Sequence, residues 1–270
     1  MGTYGISTWI TSLLPPQQAA AALAAAGFRR VEISGAVDAA MVVAFETDPV
    51  PLIEMLGDFG LTVASVHSPV AGRFLDLPDE SERLASVDAN LRYLDLMARC
   101  GVPEIIIHPI SSDAKLTGDE RAVLMARVTD SLQRLADPAA ALGLRLAVEN
   151  LFGLSSTMFE LLDLIAPFGG HVGLCHDIGH TVQARLDPLA ETRSALRSGR
   201  LFSLHIHDVN AAGADHFIPG EGKVDLAAIM AELDVAGFLG LRTLEIARSD
   251  EQIEQRVLQA GQVRARWERL

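Results

Sequence analysis

The run GLRLAVEN at residues 143–150 decides the fold. A glycine stands ahead of a β-rich apolar stretch, and the stretch ends on a carboxylate, Glu149. Glycine after a helical segment takes the left-handed backbone without a Cβ penalty and so ends the helix. Gly143 therefore reads as a helix-to-strand joint. The same joint recurs along the chain: Gly27 precedes FRRVEIS, Gly60 precedes LTVASVH and Gly101 precedes VPEIIIH. Further on, Gly170 precedes HVGLCHD, Gly199 precedes RLFSLHIHD and Gly240 precedes LRTLEIA. With the opening run YGISTWI these make eight predicted strands.

The segments between them have helical periodicity. Leu84, Val87, Leu91 and Leu94 form one apolar stripe, and Leu124, Val128, Leu132 and Leu135 another. Pro15-Pro16 opens the first helix, where a missing N–H does no harm. The strands are nearly continuous apolar runs, as expected for parallel strands covered by helices. Eight β-then-α units point to a closed barrel or a doubly wound sheet. No G-x-G-x-x-G follows the first strand, which weighs against the dinucleotide-binding form of that sheet. The expectation is an α/β fold, a single (β/α)₈ TIM barrel spanning residues 1–270.

The bulk properties narrow the function. The 270 residues are 49% hydrophobic and 21% charged, a globular composition. A net charge of −13 disfavours nucleic acid as a partner. The short basic groups Arg29-Arg30 and Arg264 with Arg266 read as solvated helix or strand ends. Two cysteines, Cys100 and Cys175, fit a reduced cytoplasmic protein in which both are packing residues. No signal segment or membrane span is expected.

A barrel builds its active site from the C-terminal ends of its strands. Here those ends carry Glu32, His67, His108, Glu149, Asp177, His205 to Asp208, and Glu245. A lone histidine or carboxylate at a strand end is usually structural or solvated. So many converging on one mouth would repel one another unless a cation intervened. Mixed imidazole and carboxylate ligation suits zinc, manganese or cobalt better than magnesium.

The chain resembles the xylose-isomerase-like TIM-barrel superfamily of sugar isomerases, epimerases and endonuclease IV. The resemblance runs from VEIS (31–34) to TLEIA (243–247). It is carried by VHSP, IIHP, AVEN, DIGH, HIHD, HFIPGEGKVD and LEI, in that order. It implies one divalent metal held by Glu149, Asp177, His205 and Glu245, with Glu149 and Glu245 also serving as acid/base. His180 matches a substrate contact of ketose 3-epimerases and a further zinc ligand of endonuclease IV. His67, His108 and His216 match other endonuclease IV zinc ligands. These four are therefore candidates for a second metal or for substrate, and further zinc ions are compatible with them.

Other residues enter less directly. His207 is expected on the opposite strand face from His205, bonded to backbone, with His171 and His176 also structural. Asp208 is a candidate to orient ligands or a substrate hydroxyl, and Lys223 is the lysine of an expected mouth loop. Asp225 is expected to cap the next helix. Trp9, Phe74 and Phe152 follow strand ends, and Trp9 is the first choice for a wall against a sugar face.

Two departures bear on the activity. Ala214 stands where endonuclease IV has an Asp, with Asp215 one residue out of register, which argues against a full three-metal site. Ser155 and Ala211 replace a Glu and an Arg of the ketose 3-epimerases, which argues against that specific activity. The leading expectation is a metal-dependent isomerase or epimerase acting on a small sugar or polyhydroxylated carbonyl compound through an enediolate. The alternatives are an inosose- or dehydroshikimate-type dehydratase, an abasic-site phosphodiesterase and a non-catalytic sugar-binding barrel. A homo-oligomer is compatible with the sequence.

Overall fold

Eight parallel strands pair in chain order and close on themselves. They are β1 (Thr3–Ser7), β2 (Arg30–Ile33), β3 (Thr62–His67), β4 (Glu104–Ile107), β5 (Arg145–Glu149), β6 (Val172–Asp177), β7 (Leu201–Ile206) and β8 (Leu241–Leu244). β8 returns to β1 through the register Thr3↔Leu241 to Ile6↔Leu244, which excludes the open doubly wound sheet. The structure, a computed structural model, describes residues 3–69, 73–111, 116–151, 153–249 and 252–269.

The helices cover the barrel as the periodicity requires. Leu124, Val128, Leu132 and Leu135 of the helix Gly118–Ala141 are all buried. In the helix Glu80–Cys100, Val87 and Leu94 are buried while Leu84 and Leu91 are half-buried. The main apolar core lies in this layer between strands and helices.

Five of the seven glycine joints are left-handed, with φ between 66° and 86° at Gly27, Gly60, Gly101, Gly143 and Gly199. Gly170 and Gly240 are not among the left-handed glycines. The helix Leu226–Val235 ends instead ahead of left-handed Gly237. Gly240 meets a different need, since a Cβ there would lie 2.1 Å from the Phe202 carbonyl oxygen.

Inside the barrel the chemistry changes. The apolar interior is a small cluster of Ile106, Ala147 and Cys175, with Phe202 against it. Glu32, Ser65, Glu104, Ser203 and Thr243 are also buried on the strands. Side chains two apart on a strand share a face, so the inward row continues from Ser65 to His67, from Ala147 to Glu149, from Cys175 to Asp177 and from Thr243 to Glu245. The fold thus delivers the polar strand ends to one mouth.

Candidate metal centre

Glu149 stands at the middle of that mouth, fully buried at the end of β5. Its Oε2 lies 3.0 Å from His67 Nε2 and 3.1 Å from His108 Nε2. Its Oε1 lies 3.1 Å from His205 Nδ1, which is also 3.1 Å from Glu245 Oε2. One donor atom each from Glu149, Asp177, His205 and Glu245 falls within 4.8 Å of the others, and so do donors of His67, His108 and Glu149. The expected quartet is therefore assembled, and two of the four ambiguous histidines share its central carboxylate.

The other two belong to an adjoining group. Asp177, His180, His207 and His216 also bring donor atoms within 4.8 Å of one another. Asp215, one residue out of register in sequence, reaches the site and lies 3.1 Å from His216 Nδ1. His207 corrects an expectation. Residues 205 and 207 are two apart and so share a face. His207 points into the same mouth, its Nε2 2.9 Å from Asp177 Oδ2 and its ring stacked 4.0 Å from that of His216. The backbone bond foreseen for it exists, because the His216 N–H donates to His207 Nδ1 at 2.9 Å.

The donors fit a metal ion on the chemistry of their unused atoms. His67 Nδ1 donates to the Ser68 carbonyl at 2.8 Å and His180 Nδ1 to the Asn150 carbonyl at 3.0 Å, which makes Nε2 the nitrogen that would ligate in each. His108 is buried, and neither of its ring nitrogens has a hydrogen-bond partner among the described residues. The 3.1 Å approach of its Nε2 to Glu149 is misaligned for a hydrogen bond, as expected of two groups aimed at a shared point.

Two expectations fail here on geometry. Asp208 is 1% exposed, and its oxygens accept the backbone N–H groups of Val209, Gly220 and Val224, so it holds the loop after β7 rather than substrate. That loop needs Gly222, because a Cβ there would sit 2.2 Å from Asp208 Oδ1. Lys223 is exposed and is not among the described residues lining the mouth. Asp225 caps the following helix as expected, accepting from Ala228 N at 3.1 Å.

The mouth opens into a cavity of about 630 Å³. Trp9, Val37, Phe74 and Leu151 wall it, over a floor of His67, His108, Glu149, His180, His216 and Glu245. Trp9 packs edge-on against His216 at 4.7 Å, whereas Phe152 lies outside the described residues. A hollow of about 770 Å³ lies at the opposite end around Arg30, Glu104 and Arg145. In barrels that end serves stability rather than chemistry.

Burial opposes charge among the buried donors: at His108 it prevails and lowers the imidazole, whereas neighbours outweigh it at Glu149, Asp177, His67 and His216. His205 and His108 hold the Glu149 carboxyl well below the usual range despite its burial. Asp177, likewise buried, is brought to about 2 by His180 and His207. Burial disfavours the imidazolium of His67, yet the bond to Glu149 lifts it to about 9. For His216 burial is outweighed by Asp215 and Glu245, which raise it to about 10. Raised histidines stabilise the fold below their free value near 6.5, and that contribution is lost as pH climbs through 9 and 10. Metal-stripped protein is therefore expected to melt at steadily lower temperature between pH 6.5 and 10. A flat or rising profile in thermal denaturation would contradict these pairings.

A family model for the xylose isomerase-like TIM barrel matches residues 20–266. The chain belongs to that family. Among relatives of the xylose isomerase-like barrel, 3-dehydroshikimate dehydratase of Pseudomonas putida is 27% identical over 249 residues, 83% of this chain and 35% of its own length. Fructoselysine 3-epimerase of Shigella flexneri is 25% identical over 143 residues, 46% of each chain. Of solved structures, the IOLI protein with a bound zinc atom superposes with a TM-score of 0.82 at 17% identity, covering 98% of this chain and 97% of that one. This xylose isomerase-like barrel spans 35–59% of the length of the first curated relatives it matches. No described helix is long and apolar enough to cross a membrane.

Proposed function

We propose that this barrel, working as one domain, is a divalent-metal-dependent isomerase or epimerase of a small polyhydroxylated carbonyl compound. The observation that carries the reading is the pairing of Glu149 on β5 with Glu245 just past β8. Each places a carboxylate oxygen 3.1 Å from the same nitrogen of His205. Two carboxylates from different strands thus flank one point on the cavity floor. A divalent ion held by Glu149, Asp177, His205 and Glu245 would supply Lewis acidity toward adjacent hydroxyl and carbonyl oxygens and stabilise an enediolate. Zinc, manganese or cobalt suits these donors.

The chain's own residues do the rest. One of the two glutamates takes the proton from the carbon beside the carbonyl, and the other, already protonated, gives a different proton to the opposite face of that carbon, which yields the epimer. Return of the first proton to the neighbouring carbon, with the hydroxyl proton passing between the two oxygens, gives the aldose–ketose isomer. Trp9, Phe74 and Leu151 shield the site from water and pack on the apolar face of the substrate. The lining, which has no lysine or arginine among its described residues, suits an unphosphorylated substrate. A dehydratase is the second reading, in which the same intermediate expels a β-hydroxyl. The dehydratase relative, aligned over 83% of this chain, supports it.

The test is a panel of unphosphorylated ketoses, inososes and dehydroshikimate in D₂O, with protein reconstituted with each metal. The expected result is one deuterium beside the carbonyl, together with an epimer or isomer. A dehydrated product without epimer would move the assignment to the lyase. No exchange by metal-loaded protein with any compound would leave a barrel that binds without catalysing.

A further inference from the structure

Glu32 is a carboxylate that neither the ligand quartet nor the proton transfer uses. It sits on β2 inside the barrel with no solvent exposure. Its Oε2 accepts the Ser65 hydroxyl at 2.7 Å, which anchors it to β3. Its Oε1 lies 3.1 Å from His205 Nε2. Neither of those two atoms has a hydrogen-bond partner among the described residues: their 3.1 Å approach is within hydrogen-bond distance but not aligned, and a small turn of the ring would pair them. A buried carboxylate oxygen and a buried ring nitrogen left unpaired would each carry a desolvation penalty.

We propose that Glu32 is the positioning residue of His205. The imidazole is held between two sets of carboxylates, with Nδ1 toward Glu149 and Glu245 and Nε2 toward Glu32. A proton on Nε2 directed at Glu32 leaves the Nδ1 lone pair facing the quartet, and it stops the ring turning about its Cβ–Cγ bond. A carboxylate behind a ligating histidine fixes the tautomer and makes the ligand more basic. Ser65 extends the chain by one member, so the order along the interior is Ser65, Glu32, His205, metal position. The proposal rests on the reading of His205 as a ligand.

The experiment measures zinc affinity by competition with a chromophoric chelator, and the visible absorption of the cobalt-substituted protein, for wild type, Glu32→Met, Glu32→Gln and Ser65→Ala. Methionine keeps the bulk and removes the acceptor. It is expected to weaken zinc binding about 10–100-fold and to shift the cobalt bands, because ligand orientation changes. Glutamine keeps an acceptor without the charge and is expected to recover part of the loss. Ser65→Ala loosens Glu32 from a distance and is expected to act in the same direction, less strongly. It carries the test should Glu32→Met fail to fold. Unchanged affinity and an unchanged cobalt spectrum in folded Glu32→Met or Ser65→Ala would overturn the proposal and leave Glu32 a packing residue. Wild-type protein that binds no metal in the same assay would instead overturn the reading of His205 itself.

Discussion

Protein carrying Glu149→Gln is expected to emerge from dialysis without metal, where the wild type retains about one divalent ion per chain, the stoichiometry of a single catalytic site. Glu149 divides its oxygens between two donor groups, Oε2 toward His67 and His108 and Oε1 toward His205. An amide removes the negative charge from all three contacts and turns an N–H group toward at least one imidazole nitrogen. Loss of a partner that merely orients a ligand lowers affinity by about 10–100-fold, so loss of this shared ligand is expected to exceed that range. With the metal forced back at high concentration, solvent exchange into substrate is still expected to fall by about 10²–10⁴-fold, the contribution of a positioned proton-transfer group. Elemental analysis and the deuterium assay read the two effects separately. Full metal retention in the variant would remove Glu149 from the ligand set.

Asp208→Ala is expected to be the most damaging change outside the donors. Its carboxylate gathers Val209 N at 2.9 Å, Gly220 N at 2.9 Å and Val224 N at 3.0 Å, and so folds the loop that presents His216. Hydrogen bonds to a charged group are worth about 1.5–3 kcal/mol each. Water recovers part of that at the half-buried amides, which leaves a loss of about 3–5 kcal/mol. At about 2–4 °C per kcal/mol for a chain of this size, the melting temperature falls by roughly 6–20 °C. Asn keeps one acceptor and should fall between. Circular dichroism melts give the answer, and a shift smaller than about 2 °C would show that the loop is held by other contacts.

These two residues mark how far the sequence could be read. Glu149 closes a strand announced by Gly143, and the alternation of strand faces places it in the mouth without knowledge of any loop. Asp177, His205 and Glu245 were likewise visible as polar strand ends, and the family resemblance singled the quartet out from the others. His207 was within reach of the same rule, since a spacing of two returns a side chain to the same face. Glu32 was visible as a strand-end carboxylate, but its partner is on β7, five strands away in order, and nothing local names it. Asp208 and Lys223 depend on how residues 209–225 fold back. That course is set by an antiparallel bridge between Asp208 and Phe217 and by the close approach at Gly222, neither of which has a periodicity to read. Gly240 shows the complementary error, a glycine kept for space rather than for backbone handedness.

His216 has a consequence for anyone altering this protein. Its backbone is left-handed, with φ of 58°, a conformation that costs a residue bearing a Cβ about 1–2 kcal/mol. The loop keeps it there, through its N–H to His207 and its carbonyl to the Ala247 amide at 3.1 Å. Glycine would relieve that backbone cost but would also remove the imidazole whose pairing with Asp215 and Glu245 stabilises the fold, so a screen scored on melting temperature would keep histidine here. The strained backbone is thus retained by the same side chain that completes the floor of the mouth, so heat resistance and the donor set pull in one direction at this position.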